Sequence, residues 1–408
     1  MTGTWRVIGL CMAGALLAGL GAGCAKPKIP EPPNVVKKDY YRALPPGAYA
    51  LRKITDPAQI PDFRPEYTAD RESLLTALDH SISYFQHPSS QKYYPMQDIS
   101  HTRAAASLIL FRDTLSSANS ADDFQQRVVS SFDVYISVGC DDEGTVQFTG
   151  YYTPIFSASL TPTAEYCYPL YKMPADLVKG PEGECLGRKL PDGSLVPYYT
   201  RAEVDSGAVS GNELVYLKDP FEAYVCTVQG SAQLRLPSGE MFKIGYAANN
   251  GREYTSIGLQ MVQAGDITPE QLTLAGLIRY FKAHPNKLAV YVPHNERYVF
   301  FEKTDAPPTG SLGVPVTPYR SIATDKSIFP RGCLAFVETH VPSVTGGAAA
   351  QQPFARFALD QDTGGGIRAA GRCDIYVGIG DEAGEIAGGT MNEGRLYYLF
   401  IKEGADAQ

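Results

Sequence analysis

The sequence predicts a mainly β protein with helices at its N-terminal end. Between residues 70 and 132, apolar residues recur every three or four positions, which is typical of amphipathic helices. From residue 145 onward, short runs alternate polar and apolar residues, and Gly and Pro separate them. Many short strands separated by Gly and Pro favour a barrel or a sandwich over a parallel α/β sheet.

Chain length and net charge indicate how many domains the protein has and which partners it can bind. The chain has 408 residues, which exceeds one ordinary domain, so we expect two. Hydrophobic residues make up 44% of it, as in a folded protein. A formal net charge of −8 argues against a nucleic-acid partner, because such binding depends on clustered Lys and Arg that neutralise phosphates.

The first residues predict export. Arg6 precedes an apolar run, residues 7–20, which ends in small residues before Cys24. This is a secretory signal, too short for a permanent membrane span. Residues 1–24 resemble a bacterial lipobox with Cys24 as the lipidated residue, although Gly21 stands where Leu is usual, and a plain secreted protein cut near residue 23 is the alternative. Residues 25–39 are Pro-rich and predict an extended tether.

Periodicity predicts the individual elements. The three N-terminal helices are expected at 70–85, about 103–115 and 122–132. A fourth helix should follow the capping box Thr268-Pro269-Glu270-Gln271 and end at His284-Pro285. Strands are predicted at 145–149, 223–228 and 232–236, and a β-hairpin at 288–292 and 297–301.

Six cysteines remain beyond Cys11 and Cys24: Cys140, Cys167, Cys185, Cys226, Cys333 and Cys373. No pair has the close spacing of a zinc site, so we expect no metal. An even number in an exported chain suggests disulfides, for which six residues allow fifteen connectivities. A bridge from Cys167 to Cys185 would close a Pro/Gly-rich loop, and free buried thiols are the alternative.

The segment 358–376, ALDQDTGGGIRAAGRCDIY, is the strongest candidate for chemistry. Asp362 is followed by Thr363 and three glycines, and Asp374 opens an apolar run twelve residues later. A strand, a glycine turn and a second strand would bring the two carboxylates to one end of a sheet. Two close carboxylates cannot both ionise easily, so one becomes a general acid. Ordinary Asp turn chemistry is the alternative.

Two further segments combine hydroxyl, amide and aromatic groups, which suit a neutral polar polymer such as glycan. The first is 148–154, FTGYYTP, and the second is 245–254, GYAANNGREY. Taken alone, they also fit a strand end and an Asn-Gly turn.

Together with Val228-Gln229-Gly230-Ser231, YYTRAEVDSG, YLKDPFEAYVCTVQGSAQL, LGVPVTPYRSIATDKSIFPRG and CDIYVGIGDEAGEIAG, these segments resemble the membrane-bound lytic murein transglycosylase A family. The resemblance covers nearly all of residues 40–402. The family's C-terminal 3D domain is named for three aspartates, which fall on Asp325, Asp362 and Asp374. Asn249 stands where Gln is common, and GGG where GGA is common.

The resemblance implies a six-stranded double-psi β-barrel built with the N-terminal helices from residues 40–150 and 286–404. A smaller β-rich glycan-binding domain, 151–285, would be inserted, with the substrate groove between them. The implied substrate-binding residues are Thr149, Tyr151, Tyr152, Thr153, Gln229, Gly230, Ser231, Tyr246, Asn250 and Tyr254.

The implied reaction is cleavage of the β-1,4 bond from N-acetylmuramic acid to N-acetylglucosamine, which leaves a 1,6-anhydro ring. Asp374 is expected to be the acid/base, with Asp362 and more weakly Asp325 setting its protonation. An ordinary Asp titrates near ~3.9, so its pKa must be raised, and the neighbouring carboxylate is the expected cause. We expect no cofactor, a monomer, glycan strands as partner, and an outer-membrane lipoprotein held by its lipid.

Two other functions start from the same residues. Aspartic proteases pair two Asp-Thr/Ser-Gly loops, and the chain holds Asp205-Ser206-Gly207 as well as Asp362-Thr363-Gly364. The polar flank of Asp205 and the three glycines after Asp362 argue against a protease. A lipoprotein that binds peptidoglycan without cutting it would carry the same barrel and groove.

Overall fold

The structure is a computed structural model that describes residues 38–181, 183–268, 271–343 and 350–403. The predicted signal segment, Cys24 and nearly all of the tether lie outside these residues. The helices of the described chain are α1 (Arg64–Thr68), α2 (Arg71–Gln86), α3 (His101–Ser117), α4 (Ala121–Ser131), α5 (Arg201–Glu203), α6 (Pro220–Gln229), α7 (Ile257–Gln263), α8 (Leu274–Ala283), α9 (Leu288–Tyr291) and α10 (Asp381–Gly389).

The strands of the described chain are β1 (Leu51–Lys53), β2 (Phe132–Ser137), β3 (Val146–Thr153), β4 (Ile155–Ser159), β5 (Tyr168–Tyr171), β6 (Leu177–Lys179), β7 (Cys185–Lys189), β8 (Leu195–Val196), β9 (Glu213–Leu217), β10 (Ala232–Arg235), β11 (Met241–Asn249), β12 (Val299–Lys303), β13 (Ser321–Ala323), β14 (Leu334–Pro342), β15 (Gln351–Asp362), β16 (Arg372–Ile379) and β17 (Met391–Ile401).

Six of these strands close into a barrel. They follow the order β3, β17, β14, β15, β13 and β16, and β16 pairs with β3 to complete the ring. Strands β2 and β1 extend the sheet from β17. The predicted mainly β architecture with N-terminal helices is therefore confirmed, and its C-terminal half forms a closed barrel.

The N-terminal helices pack on the barrel. Helix α2 begins where Asp70 accepts a hydrogen bond from the Ser73 amide, 3.2 Å away, and its buried face presents Leu74, Leu78 and Phe85. These residues share one hydrophobic core with the barrel strands. The three predicted helices are confirmed as α2, α3 and α4, because apolar positions at three- and four-residue steps do lie on one buried face.

A buried ionic cluster ties α1 to the barrel. The Glu66 carboxylate accepts hydrogen bonds from Arg320 and from Arg356, and also from the backbone amide of Phe357 on β15. Glu66 is 1% exposed and Arg320 is 2% exposed, so their charges depend on each other. Arg320 directly precedes β13, whose position this cluster therefore fixes.

A second sheet has the order β12, β11, β10, β4, β9 and β5, and β6 to β8 form a small third sheet. The second sheet has its own core, in which Val215, Leu234 and Phe301 are buried. Strand β12 belongs to this sheet although it lies C-terminal to residue 285, the predicted end of the inserted domain.

The predicted strand at 223–228 is wrong, because this segment forms helix α6. Asp219 caps the helix by accepting hydrogen bonds from the amides of Phe221 and Glu222 at 2.7 and 3.1 Å, and Pro220 occupies the first turn. Gly230 ends it with a φ of 79°. The capping residues favour a helix, and their effect is stronger than the preference of the apolar run for a strand.

The predicted hairpin is also wrong in its first half. Residues 288–291 form helix α9. Leu288 and Tyr291 are buried, whereas Val290 is 54% exposed. The buried positions are therefore three residues apart, as in a helix, and not two residues apart, as in a strand. The fourth predicted helix exists as α8, but Thr273 caps it, through its hydroxyl and the amide of Gly276 at 3.0 Å. Residues 269 and 270 of the predicted capping box lie outside the described residues.

The expected disulfides are absent. All six cysteines that the structure describes are free thiols, and Cys140, Cys226, Cys333 and Cys373 are buried. Cys226, Cys333 and Cys373 belong to the hydrophobic cores, where a thiol packs like other small hydrophobic side chains. None of the described helices is both long and apolar enough to cross a membrane.

Candidate active site

Asp362 and Asp374, the two candidate catalytic aspartates of segment 358–376, lie at the same level of the barrel. We call this level the rung; it consists of residues that pair across adjacent strands. Ala323, at the end of β13, pairs with Asp362 on β15 and with Asp374 on β16, and Asp374 in turn pairs with Thr149 on β3. Because neighbouring strands are about 4.8 Å apart, the two aspartate Cα atoms are separated by roughly 10 Å.

The sequence predicts a strand, a glycine turn and a second strand that bring the two carboxylates to one end of a sheet. In the structure these two strands are not adjacent, because β13 lies between them. The connection 363–371 is long enough to cross over the end of β13, and a tight hairpin is therefore not required. Both carboxylates still reach one end of the sheet.

Asp374 is held by two neighbouring strands. In β16, Cys373 and Ile375 face the hydrophobic core, so Asp374 and Arg372 share the opposite face. The Thr149 hydroxyl donates a hydrogen bond to Asp374 Oδ1, and Arg372 Nη2 donates to Thr149 Oγ1 at 2.9 Å. Arg372 Nη2 lies 3.7 Å from Asp374 Oδ1, and Arg372 Nη1 donates to the Gln147 side chain.

Burial raises the pKa of Asp374 to about 6. The positive charge of Arg372 opposes this shift, and the negative charge of Asp362 adds to it. The interpretation that the neighbouring carboxylate is the main cause is therefore corrected, since desolvation of the charged form is the larger effect. A carboxyl group with such a pKa can both give and take a proton near neutral pH.

Asp362 ends β15 and is bound by the loops around it. Its Oδ1 atom accepts hydrogen bonds from the amides of Ser311 and Thr363, both at 2.8 Å. Burial raises the pKa of Asp362, although these bonds and Lys326 oppose the shift. Tyr151 lies beside Asp362, and the pKa of its hydroxyl is raised first by burial and then by the Asp362 charge.

Asp325 has a different environment. Its Oδ1 accepts from the amide and hydroxyl of Ser327 at 3.0 and 2.6 Å, and its Oδ2 accepts from the amide of Ala369 at 2.9 Å. Arg368 adds a more distant ion pair at 3.9 Å. The Asp325 carboxylate thus joins the turn after β13 to the loop that leads into β16.

A buried ion pair lies in the barrel next to this site. Lys326 donates to Asp360 and, at 3.0 Å, to the Thr324 hydroxyl, and Tyr398 donates to Asp360 at 2.7 Å. Burial lowers the pKa of Lys326. Asp360 is fully buried, and its charge is stabilised by these donors and by the Thr324 hydroxyl, which donates to it at 2.7 Å.

Sequence reasoning missed this pair and missed Arg372. No sequence signal places Lys326 beside Asp360, which is distant in the chain. Arg372 could have been found, because a residue two positions before Asp374 in a strand shares its face.

The predicted glycan-binding residues on β3 surround the same rung. Thr149 contacts Asp374, and the Tyr151 ring lies 5.2 Å from the Tyr376 ring. The Thr153 hydroxyl shares a hydrogen bond of 3.0 Å with the Tyr376 hydroxyl. Tyr152 is buried on the other face of the strand.

The predicted substrate-binding residues in the region of the second sheet differ in how accessible their polar groups are. Gln229 accepts from the Tyr152 amide at 3.2 Å and so reaches β3, next to Gly230 and Ser231. Tyr246 is 47% exposed. Asn250 is buried, and its amide group donates to the carbonyls of Tyr199 and Glu296 at 2.9 and 2.8 Å, so the structure uses its polar atoms internally.

The triple glycine contacts the second sheet region closely. A Cβ atom on Gly366 would lie 2.9 Å from the ring of Tyr254, and one on Gly365 would lie 3.0 Å from Arg297 Nε. Only glycine fits this approach without a shift. The loop after Asp362 therefore joins the barrel to the region that contains Tyr254.

An open cavity of about 160 Å³ lies on the side of Thr149 away from the barrel core. Its lining includes two predicted substrate-binding residues, Thr149 and Gln229. The other residues that line it are Gly150, Leu272, Thr273, Leu274, Ala387, Gly388, Thr390 and Met391. The cavity thus extends from the rung towards helices α6, α8 and α10.

The protease-like segment is far from this arrangement in the fold. Asp205 lies in the helical turn Val204–Ala208 next to α5, and Gly207 has a φ of 98°. The carboxyl group that shares a rung with Asp362 belongs to Asp374. The two Asp-Thr/Ser-Gly segments therefore do not form the matched pair of loops that an aspartic protease requires.

Two family models match the chain. The MltA specific insert domain matches residues 147–302, and the 3D domain matches residues 320–400. The chain is 31% identical over 277 residues to the membrane-bound lytic murein transglycosylase A of Escherichia coli K12, which covers 67% of this chain and 70% of the relative. It is 29% identical to the protein of that name from Vibrio cholerae, over 65% of this chain and 68% of the relative.

Solved structures agree with these relatives. A membrane-bound lytic murein transglycosylase from Agrobacterium tumefaciens superposes with a TM-score of 0.70 at 25% identity, covering 86% of this chain and 98% of that one. E. coli MltA with bound chitohexaose gives a TM-score of 0.65 at 25% identity, covering 86% and 94% of the two chains.

Proposed function

The chain belongs to the membrane-bound lytic murein transglycosylase A family, a family of enzymes, and from this premise we propose that it cleaves peptidoglycan at the β-1,4 bond from N-acetylmuramic acid to N-acetylglucosamine. The product end would be a 1,6-anhydro ring. The observation that carries this proposal is Asp374, a half-buried carboxyl group whose side chain is 17% exposed and whose pKa is raised to about 6, on the same rung as Asp362.

One carboxyl group is enough for both halves of the reaction. Protonated Asp374 gives its proton to the glycosidic oxygen while the bond from that oxygen to C1 breaks, which releases the N-acetylglucosamine side as an alcohol. Asp374, now a carboxylate, takes the proton of the C6 hydroxyl as that oxygen bonds to C1. Asp374 ends protonated again, and no water is consumed.

The neighbours of Asp374 have separate roles in this proposal. Asp362 lies across Ala323 and would stabilise the positive charge that develops at C1, as a second carboxylate does in glycoside cleavage. Thr149 orients Asp374 through their hydrogen bond. Asp325 acts more remotely, because its bonds to Ser327 and Ala369 shape the loops beside the site.

We also propose that the barrel is of the double-psi type, which the family resemblance implies; the parallel pairs β13 with β15 and β16 with β3 support this proposal. The glycan groove would run between this barrel and the inserted β-rich domain. Exposed Tyr246 and the cavity beside Thr149 and Gln229 support a site for sugar rings. Tyr151, Thr153 and Tyr254 would contact the strand near the rung, whereas Tyr152, Gly230, Ser231 and Asn250 would shape the groove.

Product analysis tests this function. Purified sacculi are incubated with the mature chain, and the released fragments are analysed by mass spectrometry. We expect fragments 18 Da lighter than hydrolysis products, because C6 has replaced water as the nucleophile; this hydroxyl is already held beside C1 and has an entropic advantage. Reducing ends as the main product would make the protein a hydrolase, and binding without release would make it a peptidoglycan-binding lipoprotein.

We further propose that Cys24 is lipidated and that the chain is a monomeric outer-membrane lipoprotein, since Ala25 and Lys26 offer no Asp after the cysteine. Metabolic labelling with a fatty-acid analogue should mark the wild type and spare Cys24→Ser. Cys11→Ser is the matched control and should still be labelled. Label that persists in Cys24→Ser, or is absent from the wild type, would refute the lipid anchor.

A further inference from the structure

The first described residues form a strap, Lys38–Arg42, that is fixed to the barrel at both ends. Lys38 Nζ and the Tyr40 hydroxyl donate to the two carboxylate oxygens of Glu393 on β17, at 2.8 and 2.6 Å. Arg42 Nε donates to the carbonyl of Cys140 at 2.6 Å. These contacts hold the residue between them, Tyr41, in one place.

The strap packs directly on the residue before Arg372. A Cβ atom on Gly371 would lie 2.8 Å from the carbonyl oxygen of Tyr40 and 2.7 Å from Cys140 Cβ. No larger residue fits there without displacing the strap. The start of β16, and therefore the side that carries Asp374, is built against the strap.

Tyr41 covers the guanidinium group of Arg372. The guanidinium carbon lies 5.3 Å from the centre of the Tyr41 ring, within the range of a cation–π contact. The Arg372 side chain is only 7% exposed, and its Nε makes no hydrogen bond to any described residue. The Tyr41 ring therefore packs on a guanidinium group whose Nε has no hydrogen-bond partner among the described residues.

On its other side Arg372 reaches the reacting acid. Its two terminal nitrogens donate to Gln147 and Thr149, and Thr149 donates to Asp374. A continuous set of contacts thus runs from Tyr41 through Arg372 and Thr149 to Asp374.

We propose that Tyr41 is a positioning residue, whose ring holds Arg372 against Thr149 and Asp374 and so fixes the orientation of the acid and the positive charge that acts on it. This inference rests on the proposed function of Asp374. It makes the strap at the start of the described residues part of the active site.

The groups that face Asp374 give the direction of the effect. Arg372, on the same strand, lowers the pKa of Asp374, and Asp362 on β15 raises it. Tyr151, Tyr254 and Cys373 also lie near Asp374, and their pKa values are all raised, so they are neutral near pH 6. Without the Tyr41 ring, water reaches the guanidinium group and screens its charge. The pKa of Asp374 should then rise.

The test compares four variants of the full mature chain: Tyr41→Ala, Tyr41→Phe, Arg372→Met and Arg372→Lys. For each, kcat, KM and the pH profile of kcat/KM are measured on soluble peptidoglycan glycan strands. Tyr41→Ala should lower kcat by roughly tenfold, less than the roughly hundredfold of an ångström-scale misplacement. Its KM should stay near that of the wild type, and the fall in activity on the alkaline side should move to higher pH.

The other variants distinguish a positioning role of the Tyr41 ring from a general loss of protein stability. Tyr41→Phe keeps the ring face and should behave like the wild type. Arg372→Met should move the alkaline fall in the same direction as Tyr41→Ala, whereas Arg372→Lys keeps the charge and should move it less. Tyr49→Ala, at another tyrosine that is 58% exposed, is the matched control and should change nothing.

Two results would overturn the inference. One is a wild-type kcat and pH profile in Tyr41→Ala, and the other is a raised KM with an unchanged pH profile, which would make Tyr41 a sugar contact. Asp374→Asn is measured in parallel, because an active Asp374→Asn enzyme removes the proposed function itself, whereas an inactive one with normal Tyr41→Ala removes only this inference.

Discussion

Asp374→Asn is expected to lower kcat by at least about 10²–10⁴-fold, the range attributed to general acid–base catalysis. The amide keeps the shape of the side chain, and its oxygen still accepts the hydrogen bond from the Thr149 hydroxyl. It cannot exchange a proton, so neither the departure of the leaving oxygen nor the attack of the C6 hydroxyl is assisted. Glycan binding should survive, since no binding group is lost.

The measurement is the release of soluble fragments from sacculi, together with binding of chitohexaose by calorimetry. Asp205→Asn is the control, because Asp205 belongs to the helical turn Val204–Ala208 and not to the rung. Its activity should equal that of the wild type. Loss of activity in a folded Asp205→Asn variant would instead favour the protease function, and near-normal turnover in Asp374→Asn with an inactive Asp362→Asn would exchange the roles of the two aspartates.

The pH dependence follows from the raised pKa of Asp374. The acid must be protonated to start the reaction, so kcat/KM should fall as pH rises through about 6. Asp362→Asn removes a negative charge that raises the pKa of Asp374, so the fall should begin at lower pH. The change should be small, because burial is the larger cause and remains. An unchanged or upward shift in Asp362→Asn would contradict this account of the charges.

The sequence allowed the N-terminal helices to be predicted for physical reasons that the structure makes plain. Helix α2 has a capping aspartate, Asp70, and a one-sided apolar period, and both are local signals. Helix α6 carries equally local caps, Asp219 and Gly230, although the composition of its apolar run is typical of a strand. The caps therefore indicate this helix better than its composition does.

The aspartates on the rung could be named from the sequence, but their arrangement could not. Asp362 and Asp374 stand out because a triple glycine and a strand start adjoin them. The insertion of β13 between their strands depends on pairing between distant segments, which no local pattern encodes. The charge that opposes the raised pKa of Asp374 comes from Arg372, whose guanidinium carbon lies 5.3 Å from the ring centre of Tyr41, more than three hundred residues earlier in the chain.

Glu66→Ala is expected to destabilise the fold by about 3–5 kcal/mol, the cost of leaving a buried charge without its partner. Arg320 would keep its bonds to the carbonyls of Phe357 and Asp70, but it would lose its buried ion-pair partner in a site that is 2% exposed. The amide of Phe357 would also lose its acceptor. The free energy of unfolding is measured by chemical denaturation.

Asp62→Ala is the matched control for this prediction. Asp62 lies only four residues before Glu66 and forms an ion pair with Arg64. Both side chains of this pair are about half exposed, at 51% and 52%. An exposed pair contributes roughly 0–1 kcal/mol, so this variant should unfold almost as the wild type does. Because Arg320 precedes β13, Glu66→Ala should also lower kcat in the protein that remains folded, as Ala323 and the two aspartates beside it lose their fixed register. Equal stability of the two variants would show that the Glu66 cluster does not hold β13 in place.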